Sequence, residues 1–583
     1  MKFKTVKTKL ISGIGRNKIL FLSFLILIIM FAITRLPFFL YYPIVNINND
    51  STHYFTVVDQ INKGMWPSFV IRTPGYPLFM KFVFLFFNKN ISLIAIQNMF
   101  SLLISLFFVY VIHKVYVSSG RFKYLSLLAS IGMGAFISSS IHLISDTSVL
   151  TESIYVNFFV LFFALFILAI HSKTKITWIL CAITMAIVIL IRPSAMFLIF
   201  VAIIILLFLI MNGYKKMTVF LFIISFVGIL FLMCLYNYFT IGSFSVSTFT
   251  EHALISFTSS FLEKDQQYPS EINGAIEKCQ KRVTPAQKNI IENSWDHKKL
   301  FRVLAKHYNR TRRMIFNALE SFEKEDSYSL YMKWRPLLRE IAIDAIKNRP
   351  TVYIKYVYSN GLMYFFYRRG DVDFYQKLKK TYLRALNYKK NAEKFILSKD
   401  EIGSEESGIR LYYSKEYIMS LSNDFPESFL KEYYEPTVFS RVKMKQISKK
   451  EVWLEPTFLQ SVHRVFQSIH VFLFRSNFWV YYFLFTLLFS FFRLLRSRFS
   501  NKDAFILFIM TFSALLHGVL VSMSALGRVR LAYPMNFVYY LSLFLFPIVI
   551  DVDRNFYLKI KNVVNSGLAL LRKKNKEVEK LKE

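Results

Sequence analysis

The chain has 583 residues, 54% of them hydrophobic and 18% aromatic, with 73 Lys and Arg against 37 Asp and Glu for a formal net charge of +36. In a soluble chain that charge would point to nucleic acid, but apolar runs this long and frequent exclude an ordinary soluble domain and leave the membrane as the explanation. The three cysteines, Cys181, Cys234 and Cys279, support neither a disulfide framework nor a zinc ribbon, and two of them lie in apolar runs.

The N-terminal arm is basic (Lys2, Lys4, Lys7, Lys9, Arg16, Lys18) and runs into an apolar stretch with no small-residue cleavage site. It reads as an uncleaved first transmembrane helix. About 20 apolar residues span a bilayer. By that measure ten spans are predicted, at 19–41, 91–113, 124–144, 153–170, 176–191, 194–211, 218–238, 477–492, 504–521 and 533–550. The run 76–87 is apolar but too short to cross, and reads as a re-entrant or interfacial helix.

Charge then orients the chain. With both termini inside, the cytoplasmic segments 114–123, 171–175, 215–216, 493–502 and the tail after Asp551 are all basic, while the outer turns at 145–152 and 192–193 carry little excess positive charge. The fold class that follows is an all-α polytopic membrane protein of about ten transmembrane helices with a large, mostly helical extracytoplasmic domain. Its divisions are an N-terminal transmembrane module at 1–238 with a first outer loop at 42–90, the outer domain at 239–476, C-terminal transmembrane helices at 477–552 and a basic tail at 553–583. Within the outer domain, 349–367 is aromatic and amphipathic, fit either to pack on the domain or to lie on a membrane surface.

The first outer loop reads "NNDSTHYFTVVDQINKG", then "RTPGYPLF". Asp50 stands at the start of a predicted helix, where an acid ordinarily caps. Pro74, Gly75 and Pro77 then rigidify the return to the membrane with Arg72 beside them, and an acid and an arginine brought to one membrane face suit anionic-substrate chemistry. The second outer turn, "SDTSVLTES", adds Asp146 and Glu152. Acids at a helix start complement its dipole, but three carboxylates at one face exceed what capping needs. Arg192 and Pro193 stand between successive spans, either as a snorkelling pair or as a guanidinium for a lipid phosphate. Arg528 and Arg530 precede the last span on the outer side, against the charge trend. His53, three residues after Asp50, is too little for a metal site.

Taken together, "DSxxY…RxPGYP", "LTESIY", the "RP" between two spans and "RxRxxYP" resemble the polyprenyl-phosphate-dependent membrane glycosyltransferases of the GT-C superfamily, nearest the protein O-mannosyltransferases and the aminoarabinose transferases of lipid A. The resemblance covers the first 250 residues best. It implies a catalytic acid at Asp50, a further acid at Asp146 or Glu152, and lipid-phosphate or donor contacts from Arg72, Arg192, Arg528 and Arg530 with Tyr54 and Tyr76 of the loop motif. Many members carry an acidic pair in the first loop, whereas here Asp50 is followed by Ser51. The implied reaction moves a sugar, with inversion, from a polyprenyl phosphate (undecaprenyl phosphate in bacterial members) to a glycan, lipid or protein acceptor outside the inner or plasma membrane. No metal ligands are assigned, a divalent metal stays open, and no nucleic-acid partner is expected. The alternatives are an envelope polysaccharide polymerase or ligase, which shares the large outer loop and outer arginines, and a transporter, which would place charge at mid-membrane.

Overall fold

The computed structural model describes residues 2–41, 49–64, 73–87, 90–118, 122, 124–322, 327–366 and 478–524, with 537, 538, 542, 545 and 546 of the last predicted span. Among these residues the elements are helical throughout. In chain order they are α1 (Lys2–Tyr41), α2 (Asn49–Asn62), α3 (Gly75–Phe86), α4 (Asn90–Ile112), α5 (Leu125–Ile137), α6 (Ser140–Asp146), α7 (Thr151–Ser172), α8 (Lys175–Ile191), α9 (Leu198–Met211), α10 (Lys216–Ile241), α11 (Phe249–Phe257), α12 (Ser270–Lys281), α13 (Pro285–Asn293), α14 (His297–Phe322), α15 (Ser327–Asn348), α16 (Pro350–Phe366), α17 (Phe478–Arg496) and α18 (Lys502–Ser524).

Six stretches among the described residues are long and apolar enough to cross a bilayer: Lys18–Leu36, Ile91–Val117, Thr151–Ser172, Pro193–Met211, Lys216–Ile241 and Lys502–Met523. The protein is an all-α polytopic membrane protein. Its spans keep large apolar side chains on the outside, for example Phe220, Ile224, Phe231 and Leu232 along α10, as expected where the solvent is lipid.

One predicted span differs in shape. The run 124–144 is not one helix: α5 stops at Ile137, Ser139 takes an extended backbone, and the short α6 follows. The hydropathy pattern is blind to this break because the two serines cut the backbone ladder without adding charge. The fifth span keeps its predicted short length: α8 has 17 residues, and Arg192 ends it in an extended conformation before a 3₁₀ turn at Pro193–Phe197. Proline there lacks the N–H a continuing helix would need.

One apolar core joins α1–α10 to α17, α18 and the described positions of the last span. Helices approach closely where small residues face each other. The Ser23 hydroxyl on α1 meets that of Ser126 on α5 at 3.2 Å, and Gly134 on α5 sits directly on Met30. Phe537 packs edge-on to Phe108, and the Tyr482 hydroxyl donates to the Ser542 carbonyl. A second core holds α11–α16 together through Ile255, Phe257, Ile276, Leu300, Leu304, Leu338, Ile341 and Tyr356. "TPAQ" starts α13 with a reciprocal capping box between Thr284 and Gln287. Helix α16 packs rather than lies alone: Tyr356 enters this second core, while Tyr353 and Asn360 donate to carbonyls at the end of α18. The tract 371–476, whose role the sequence leaves open, lies outside the described residues.

Candidate functional site

The stretch after α1 forms the helix that the motif spacing predicts. Asn49 and Asp50 form the first turn of α2, whose Tyr54, Val57 and Val58 turn inward. The backbone of Asp50 is described, and its side chain lies outside the described residues. Helix α2 is tied down one residue later, where the buried Ser51 hydroxyl donates to the Val149 carbonyl at 2.7 Å. That bond fastens the start of α2 to the turn leading into Glu152.

The return of the loop is held as firmly. A Cβ on Gly75 would stand 2.7–2.8 Å from the backbone of Leu190 and Ile191, so only glycine lets α3 start against the end of α8, next to Arg192. Helix α3 buries Tyr76, Met80 and Val83 and exposes Leu78, Phe82 and Leu85, the shape expected of an interfacial helix. Tyr54 and Tyr76 meet edge to face, ring centroids 5.0 Å apart. Both are buried, so they join α2 to α3 instead of lining an open cleft. Burial, reinforced by Tyr54 and Glu152, pushes the Tyr76 phenol well above its ordinary range. It therefore stays protonated and donates to Gln97, whose amide in turn donates to the Asp146 and Ser148 carbonyls.

The acids of the second turn have different surroundings. Asp146 ends α6 in full burial. Arg35 donates to its Oδ2 at 2.7 Å, His142 Nε2 lies 3.2 Å away, and the Ser153 hydroxyl donates to Oδ1 at 2.6 Å. Arg35 also donates through Nε to Asn98 and packs over the Phe31 ring. Burial alone would raise the Asp146 carboxyl; His142, Arg35 and Ser153 outweigh it and hold the group below the usual carboxylate range. Every face of this carboxylate is taken by protein, which argues against Asp146 as an acid that meets substrate.

Glu152, in the first turn of α7, faces Arg192, with Oε1 3.2 Å from Nη1. The approach is close but outside hydrogen-bonding geometry, and Nη1 has no hydrogen-bond acceptor. The guanidinium also lies over the Tyr155 ring at 5.8 Å. Its Nε and Nη2 meet no acceptor among the described residues. Here a cation 12% exposed, held by one acid and one ring, keeps donors that no described residue meets. Arg72, Arg528 and Arg530 lie outside the described residues. Among the described residues no three His, Cys, Asp or Glu gather as a metal site.

The sequence motifs do not single out Arg35, His142, Gln97 or Asn98. Arg35 carries a signal nonetheless: an ionisable residue inside a predicted span is a site candidate by itself. His142 stands four residues before Asp146, a spacing that puts both on one helical face.

No protein-family model matches this chain, and no curated protein does. Among solved structures it is similar to the crystal structure of the Archaeoglobus fulgidus oligosaccharyltransferase in its apo form, with a TM-score of 0.37 and 10% identity. The match covers 94% of this chain and 52% of that one, so this chain spans about half the length of that protein.

Proposed function

We propose that the protein is a membrane glycosyltransferase of GT-C type that moves a sugar from a polyprenyl phosphate to an acceptor outside the membrane. The observation that carries this reading is Arg192. It is a mostly buried guanidinium between two spans, oriented by Glu152 and Tyr155, with N–H groups unanswered by any described residue. A planar fork with free donors at that depth suits a lipid phosphate.

In this mechanism Asp50 is the general base. Its carboxylate takes the proton from an acceptor hydroxyl. The hydroxyl oxygen attacks the anomeric carbon opposite the phosphate, the bond from that carbon to the phosphate oxygen breaks, and the electron pair leaves on the phosphate. The configuration inverts. The leaving phosphate is already an anion, so it needs cations more than a general acid. Arg192 supplies the first of these, and Arg72, Arg528 and Arg530 remain proposed partners. Glu152 acts as a positioning residue for Arg192, and Asp146 holds the neighbouring turn through Ser153.

The test is Asp50→Asn, assayed in membranes of cells expressing the protein with radiolabelled undecaprenyl-phosphate hexoses. Loss of a general base is expected to lower transfer roughly 10²–10⁴-fold at unchanged protein level. Transfer at the parent rate would remove Asp50 as the base.

A further inference from the structure

A cleft of about 580 Å³ opens on the outer domain beside the end of α10, far along the chain from the loop motifs. That volume lies within the range of sites that hold a small ligand. Gly242 ends the α10 span with a φ of 67°, the left-handed turn that favours glycine, and the chain enters the cleft wall at once. The opposite wall is one face of α15. Its positions 335, 339 and 343 and 336, 340, 344 and 347 repeat at helical spacing, while Leu338, Ile341, Ala342 and Ala345 turn into the outer core.

The wall alternates charge. Arg335 pairs with Glu251 at 3.0 Å and donates to the Ser243 hydroxyl at 2.5 Å. Asp344 accepts from the Tyr268 hydroxyl at 2.8 Å, with Lys347 3.8 Å away. Arg339 and Glu340 are exposed and make no hydrogen bond or ion pair with described residues. Ile241, Pro336 and Ile343 supply the apolar surface between them. Glu251 is more than nine-tenths buried, and its Oε2 lacks any donor. Leaving such an acceptor unmet costs about 1–3 kcal/mol, so the site is short of a donor.

These features select the ligand by chemistry. The cations Arg335, Arg339 and Lys347 are matched by the acids Glu251, Glu340 and Asp344, so the lining favours neither an anion nor a cation. A phosphate would find a single uncommitted guanidinium and three carboxylates. An ammonium would meet the reverse. What the cleft offers is donors and acceptors in alternation over small apolar patches, with one buried acceptor awaiting a hydroxyl. We infer that this cleft binds a neutral, hydroxyl-rich ligand, a short saccharide segment. If the transferase reading above holds, on which this last assignment rests, the segment belongs to the acceptor glycan.

The test uses the full chain in detergent, fluorescently labelled, on a printed array of neutral and anionic glycans. The parent is expected to bind at least one neutral glycan. Arg339→Ala with Glu340→Ala, two exposed positions whose loss leaves the core intact, is expected to weaken that binding tenfold or more. Asp50→Asn should bind as the parent does. Binding to no neutral glycan, binding only to sulfated or phosphorylated ones, or equal binding by the double variant would overturn the inference. The two readings fail separately. Normal transfer by Asp50→Asn with array binding intact defeats only the base assignment; lost transfer with no neutral glycan bound defeats only the cleft.

Discussion

Two arginine–carboxylate pairs lie close in this fold and behave oppositely. Arg35–Asp146 is closed: the guanidinium is shared between Asp146 and Asn98, and the acid is filled by Arg35, His142 and Ser153. Arg192–Glu152 is open: one approach at 3.2 Å without hydrogen-bonding geometry, one aromatic face, and donors to spare. The charges are the same, but Arg35 and Asp146 are both buried, whereas Arg192 is 12% exposed beside a buried Glu152. The count of satisfied donors separates a group that holds the fold from a group with donors to offer a ligand, because a fully paired buried charge has nothing left to give.

The largest effect should come from breaking the closed pair. Arg35→Met leaves the Asp146 charge buried without its main partner, which costs about 3–5 kcal/mol. The expected result is a sharp fall in thermal unfolding temperature in detergent or loss of the folded protein. Arg35→Met combined with Asp146→Leu removes both charges and should recover most of the loss. No recovery would mean that Arg35 does more than pair.

The next effect sharpens the contrast. Arg192→Lys keeps the positive charge beside Glu152 but removes the planar fork. Transfer should drop about 10²–10³-fold, the scale of losing one donor to a developing anion, with little change in unfolding temperature. Arg35→Lys should do the reverse, lowering stability while each folded molecule transfers normally. If both substitutions cost stability alike and spare transfer, the distinction between closed and open pairs fails.

Much of the architecture can be read from the sequence because a lipid solvent imposes a coarse code. Run length alone places α1, α4, α7, α9, α10 and α18. The code is silent on what lies inside a run. Arg35 barely alters the average over the 19–41 stretch, so only its charge inside a span marks it, and nothing local names its partner. The break at Ser138 and Ser139 is invisible because serine is nearly neutral in hydropathy. The site is legible only in pieces: "RTPGYP" and "IRP" stand out locally, yet that Gly75 rests on Leu190 and Ile191 is a contact across more than a hundred residues. Glu152 and Arg192 likewise meet across two spans, and no local pattern distinguishes Glu152 from Asp146 as partner. Burial and partner geometry decide that, and both are tertiary facts.

The Gly75 contact gives a smaller test of the open site. In Gly75→Ala the new methyl meets backbone, which has no flexible end to swing away. Overpacking of this kind costs about 1–3 kcal/mol. Helix α3 should shift from the end of α8 and carry the neighbourhood of Arg192 with it. Transfer is then expected to fall by more than the stability loss alone explains, read as activity per folded molecule at a temperature well below unfolding.

The smallest expected effect concerns Ser51, and it asks whether the first loop is held in place or only packed there. Its hydroxyl reaches the Val149 carbonyl, a backbone group of the turn between α6 and α7. Ser51→Ala deletes the donor to that carbonyl, a net cost of about 1 kcal/mol. Such a loss barely moves a global unfolding curve, but it acts at one end of α2, where frayed amides exchange with solvent through local opening. Faster hydrogen exchange at the first turns of α2, with α7 unchanged, is the expected signature, together with a modest fall in transfer because Asp50 sits one residue away. Ser51→Thr keeps the hydroxyl and should restore both. If exchange at α2 is unaltered in Ser51→Ala, the contacts of Tyr54 and Tyr76 hold the loop, and the hydrogen bond to the second turn contributes nothing to where Asp50 stands.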